Sequence, residues 1–224
     1  MLCLLTIHWQ HGAVPSATKD AVGVTVLIAA IAILQFGLWS VHSFIPRGSM
    51  AVVIVLGMPL AWVVVSGRRA IGSRLRRLMW GYLSLLVLVS VINAVLLLVA
   101  VIRNSSAAPV LLLIGGFEVM AINMLSFGLI YWWLDAADPA IKAAGGREAP
   151  DFLFPQQTIT GSNWEPRLMD YVYVAFTNLL AFSPTDTMPL RVRTKVLFMI
   201  QSVTATFCAV VILGHAINSL PDSG

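Results

Sequence analysis

Residues 170–189 read DYVYVAFTNLLAFSPTDTMP, the stretch best supplied with groups that could handle an ion. Thr177 and Asn178 come late in a short amphipathic run. Phe182, Ser183 and Pro184 interrupt it, and Thr185, Asp186 and Thr187 follow before Pro189. Hydroxyls and backbone carbonyls in such a turn can replace an ion's hydration shell, and an acidic residue at the mouth attracts cations. The same residues also suit a plain interfacial helix, a polar turn and the start of the next helix. Both readings need a helix that stops before Pro184, because the residue preceding a proline is pushed out of helical backbone.

A second set lies inside apolar runs. Glu118 and Asn123 fall in 109–134, and Asn93 falls in 78–102. An ionisable side chain at the centre of a bilayer costs at least ~2.5 kcal/mol. Glu118 is therefore either an ion or proton site or a packing carboxyl hydrogen-bonded to Asn93 or another helix. His8 and His11 could share a helix face, but no third ligand is near, and no metal or cofactor is expected. His215 and Asn218 read as interfacial anchors, and Tyr131, Trp132 and Trp133 as an aromatic belt. No GxSxG, HExxH or Walker loop occurs, so the chain is not read as an enzyme. Cys3 and Cys208 support neither a disulfide framework nor a zinc site.

The elements that must hold these residues follow from composition. The 224 residues are 58% hydrophobic and only 11% charged, and the mean hydropathy is +0.87. Soluble domains carry about 25% charged residues. Too little charge is present to cover a water-soluble globule, which leaves an integral membrane protein. The net charge of +4 sits in short loops between apolar runs, a topology signal rather than a nucleic-acid site.

A helix needs roughly 20 apolar residues to cross the hydrocarbon layer. Ala21–Ile45, Met50–Ser66, Leu78–Ile102, Pro109–Leu134 and Val196–Leu220 are read as five spans. Tyr171–Pro184 is too short. Residues 1–20 read as a tail and 21–134 as a four-helix region. Residues 135–168 form a polar loop with a short helix near 136–144, and 169–220 hold a half-helix and the last span. Five arginines in 67–77 place that loop in the cytoplasm. Arg191, Arg193 and Lys195 join them only if 171–184 enters and leaves on one side. Non-helical backbone at that depth requires shelter by protein or water.

The C-terminal third resembles the pore module of potassium channels, in which a pore helix, a filter reading TVGYGD and an inner helix follow one another. Ala181, Phe182, Ser183, Pro184, Thr185 and Asp186 match the filter, and Pro189 matches the proline after it. Ser183 and Thr185 replace the filter glycines and Pro184 replaces the tyrosine. Glycine gives that filter access to positive φ, whereas proline fixes φ near −65°. The resemblance, with these departures, thus implies a wider or less selective cation path, or a loop that conducts nothing, rather than a potassium-selective ladder. Insertion from the cytoplasm resembles glutamate-receptor channels in orientation. The C-terminal half also resembles a broad group of uncharacterised bacterial multi-pass membrane proteins. It does so through FGLIYWWLD (127–135), DFLFPQ (151–156), Trp164-Glu165-Pro166 and AFTNLLAFSPTDTMPL (175–190).

The expected fold is all-α and polytopic, with five spans and one pore-loop-like half-helix, in the bacterial inner membrane. Membrane lipid, small cations and further copies of the chain, as a homo-oligomer and by the channel resemblance a tetramer, are the expected partners; nucleic acid is not. The expected functions are a cation channel lined by Thr177, Asn178, Phe182, Ser183, Pro184, Thr185 and Asp186, or a non-conducting assembly protein.

Overall fold

The structure is a computed structural model that describes residues 16–41, 73–103, 109–135, 150–160, 164–181 and 186–218. Over these residues the chain is mostly helical. The helices are α1 (Ser16–Val41), α2 (Ser73–Ile102), α3 (Pro109–Asp135), α4 (Leu168–Ala181) and α5 (Val192–Asn218). A two-stranded antiparallel pair, β1 (Phe152–Leu153) and β2 (Met188–Pro189), and a 3-10 turn at Pro155–Thr158 complete the described elements.

Among the described residues, three helical stretches are long and apolar enough to cross a membrane: Arg77–Ile102, Val110–Asp135 and Val192–Gly214. Val22–Leu38 of α1 and Leu168–Leu180 of α4 are shorter apolar stretches. Met50–Ser66, the expected second span, lies outside the described residues, as do the expected helix near 136–144 and both His8 and His11. The tail expected to reach residue 20 ends sooner, because α1 already begins at Ser16. The basic stretch 67–77 is likewise helical from Ser73 onward.

The long helices are apolar around most of their circumference, which leaves an apolar coat outside the core. Ile33, Leu88, Phe117, Met199, Val203 and Val210 are all exposed. Exposed apolar side chains on every long helix are what a lipid or protein interface, rather than water, covers.

α3 is the central helix. The short connection after α2 and the approach of Leu97 to Gly116 make α2 and α3 antiparallel neighbours. Gly116 also faces Ile212, while Tyr131 bonds to Gln201, so α5 runs antiparallel to α3 as well. α1 does the same: Gly37 lies against Glu118, and Gly23 lies against Leu168 at the other end. One end of the bundle therefore gathers the start of α2, the end of α3 and the start of α5.

α4 begins at that end. Pro166 precedes it, and the Asp170 carboxylate accepts a 2.7 Å bond from the Arg167 N–H, satisfying a donor that a helix start leaves open. Fourteen residues give a helix about 21 Å long. Its inner face, with Tyr171, Val172, Val174, Ala175 and Asn178, is buried, while Met169, Tyr173, Phe176 and Leu180 point outward. Gly128 permits a close approach of α3 to α4: a Cβ there would lie 2.9 Å from the Val172 Cα.

The chain leaving α4 returns to the same end. Met188 pairs with Leu153 and Pro189 with Phe152. An irregular polar loop was the expectation for 135–168, and its described part holds a strand and a 3-10 turn instead. Two-residue strands are too short to show an alternating pattern, so only their tertiary partner reveals them.

Candidate functional site

Two polar clusters hold α4 and the segment that follows it. The first lies at the bundle end. Asp135, the last residue of α3, accepts bonds from the Asp151 N–H at 2.9 Å and the Tyr171 hydroxyl at 2.5 Å. Asp151 is 2% exposed. Its carboxylate accepts from Arg193 Nε at 2.8 Å and Nη2 at 2.5 Å, and from Thr194 Oγ1 at 2.9 Å. Its carbonyl accepts from the Leu190 N–H at 2.9 Å. A two-pronged guanidinium–carboxylate bond fixes geometry as well as charge. Four separate stretches of chain, at 135, 151, 171 and 190–194, are thereby tied at one place.

Aromatic rings fill the space beneath. Phe152 is fully buried against Tyr131, Phe154, Tyr171 and Phe198, with the nearest ring centroids 5.4 Å apart. Tyr131 stacks on Phe198 at 4.8 Å, and Phe154 packs on Trp164 at 5.4 Å. Burying a phenylalanine contributes about 1.5–3 kcal/mol, and each ring pair adds about 0.5–1.5 kcal/mol.

The second cluster lies deeper. Gln201 Oε1 accepts from the Tyr131 hydroxyl at 2.7 Å and from Asn178 Nδ2 at 2.8 Å. Gln201 Nε2 donates to the Ala175 carbonyl at 2.9 Å, and Ser202 Oγ donates to Asn178 Oδ1 at 3.0 Å. Tyr131, Asn178 and Gln201 are each fully buried. Three helices are joined, and both amides use donor and acceptor. A satisfied buried network of this kind rigidifies a core, whereas a partly satisfied one destabilises it.

The residues expected to line an ion path separate on this geometry. Asn178 faces the interior between α3, α4 and α5. Thr177 donates its hydroxyl to the Val174 carbonyl of its own helix at 3.0 Å. Asp186 is exposed at the bend before β2, and Thr187 beside it is buried. Phe182, Ser183, Pro184 and Thr185 lie outside the described residues. Tyr131 belongs to the core rather than to an aromatic belt, while Trp132 and Trp133 stay half-buried. His215 and Asn218 fall in the last turns of α5.

The polar residues of the apolar runs occupy another region. Asn93 Nδ2 donates to Gln35 Oε1 of α1 at 2.9 Å, and both residues are fully buried. A Cβ at Gly37 would stand 2.8 Å from Glu118 Oε1, so the missing side chain makes room for that carboxyl. Asn123 is 1% exposed. The sequence reading missed Gln35, Asp135, Asp151, Arg193, Thr194 and Gln201. Gln35 and Gln201 were detectable as amides inside apolar runs, whereas nothing local pairs Asp151 with Arg193 across 42 positions. Among the described residues no group of three or more His, Cys, Asp or Glu side chains could hold a metal ion.

No family model, curated protein or solved structure matches the chain.

Proposed function

We propose that this is a multi-pass membrane protein whose α4 and following turn form a re-entrant loop, and that the loop supplies the mouth of a weakly selective cation path in a homo-oligomer. One observation carries the reading. Tyr171 at the start of α4 and Leu190–Thr194 after its turn are tied to the same Asp135–Asp151 anchor. A 14-residue helix that starts and returns at one end of a bundle has the form of a pore helix and its loop. The apolar coat supports a lipid environment, and the shared end of the basic residues supports a cytoplasmic anchor in a bacterial inner membrane.

Asn178 bonds inside the subunit and the Thr177 hydroxyl to its own helix, which narrows the path to Phe182, Ser183, Pro184, Thr185 and Asp186. One loop cannot enclose an axis, so several copies, a tetramer by the channel resemblance, would surround it. The exposed Asp186 carboxylate concentrates cations at the mouth.

The closed hydrogen-bond network around Gln201 favours a second reading, a non-conducting assembly or accessory protein in which α4 is purely a packing element. Flux of sodium and potassium into proteoliposomes separates the two. A path through the turn predicts flux that falls about tenfold in Asp186→Asn as electrostatic focusing is lost. Correctly inserted protein that passes neither ion sinks the channel reading and leaves the second.

A further inference from the structure

Six polar side-chain atoms on α2 and α3 are buried and make no hydrogen bond with the chain: Tyr82 Oη, Ser90 Oγ, Asn93 Oδ1, Ser126 Oγ and both terminal atoms of Asn123. Buried polar groups are paired in the great majority of cases, and each exception requires a cause. Three of these residues are brought together by the register. Leu97 meets Gly116 where α2 and α3 touch, 3.7 Å from a Cβ built there. Seven residues, two helical turns, separate Leu97 from Ser90 and Gly116 from Asn123. Antiparallel counting therefore sets Ser90 and Asn123 level, each on the contact face of its helix. Asn93 lies one turn along α2 from Ser90 on the same buried face.

Asn93 is also oriented. Its Nδ2 is committed to Gln35, which leaves Oδ1 as the unpaired end of the amide. Ser126 lies one turn along α3 from Asn123, and Glu118 lies about 8 Å from it along the axis in the other direction. Along about 9 Å of the α2–α3 contact the two helices thus place two amide oxygens and two hydroxyls, while the Glu118 carboxyl sits on another face of α3, against Gly37 of α1. Hard oxygen donors of this type suit a hard cation rather than zinc or copper. A single carboxylate balances one positive charge, so a monovalent ion leaves the low-dielectric interior near neutrality.

We propose that α2 and α3 hold a sodium-binding site, with Ser90 Oγ, Asn93 Oδ1 and Asn123 Oδ1 as neutral ligands and Glu118 as the balancing charge. It is separate from the Asp186 turn and does not depend on whether that turn conducts. The Gln35–Asn93 bond acts from outside the ligand set, as hydrogen bonds behind metal ligands do.

Thermal unfolding of the full chain in detergent, in sodium, lithium, potassium or choline chloride at one ionic strength, tests this. Ligand that binds the folded chain raises Tm, by about 5–10 °C at a concentration a hundredfold above Kd. The expected result is a saturable rise in sodium that choline does not reproduce and that is lost in Asn123→Ala. Should that variant fail to fold, Ser90→Ala, which removes one ligand at little cost in volume, is expected to lower the sodium affinity. Equal Tm values in all four salts, or a rise undiminished in both variants, would overturn the proposal.

Discussion

Arg193 is 45% exposed in its side chain and its partner Asp151 only 3%, so the two ends of this ion pair answer differently to substitution. Arg193→Ala strands a carboxylate that water cannot reach. Removing one partner of a buried pair costs 3–5 kcal/mol, and Thr194 and the exposed rim hold the expected loss near the low end, about 3 kcal/mol. Asp151→Asn leaves a guanidinium that water can solvate, so it is expected to cost less. Arg193→Lys recovers part of the loss, because an ammonium cannot reproduce the two-pronged contact. Denaturant unfolding in detergent measures the order, and an Asp151→Asn loss larger than that of Arg193→Ala would contradict it. Only half of this scale was legible in the sequence. Glu118, Asn93, Asn123 and Asn178 stand out as polar residues in apolar runs, whereas what each of them faces depends on which helices meet.

Between elements, small residues set how near the helices come. Gly128 is expected to resist even alanine. A Cβ there meets backbone, the Val172 Cα, which cannot swing aside as a side chain would. Overpacking of this kind costs about 1–3 kcal/mol, and α4 should be pushed off α3. Thermal unfolding of Gly128→Ala reads the cost, and an unchanged Tm would show that α4 is held less tightly than the contact implies. Apolar length made α2, α3 and α5 legible, and Pro184 made the end of α4 legible. The β1–β2 pair was not, since its register depends on Asp151, which holds Leu190, Arg193 and Thr194 from a distant part of the chain.

For the whole molecule, the helix directions and the charge pattern agree. The sequence placed Arg191, Arg193 and Lys195 beside the five-arginine stretch only if the segment before them turned back. The antiparallel packing of α2 and α5 against α3 sets the starts of α2 and α5 at one end, where Arg77 and Arg193 lie. The charge rule and the packing are separate constraints, the first acting during insertion and the second in the folded bundle. Whether copies assemble was not legible, because the outward faces of α4 and α5 are apolar whether lipid or another copy covers them.

The proposed re-entrant path of α4 is tested most directly by sidedness. Single cysteines placed at Thr158 and Leu190, both exposed and flanking α4, would be probed in a background lacking Cys3 and Cys208, using a membrane-impermeant maleimide on sealed right-side-out and inverted vesicles. The expected result is that both positions label from the same face, the face that also exposes a cysteine at Arg69. Labelling of Thr158 and Leu190 from opposite faces would make α4 a full crossing and contradict the account.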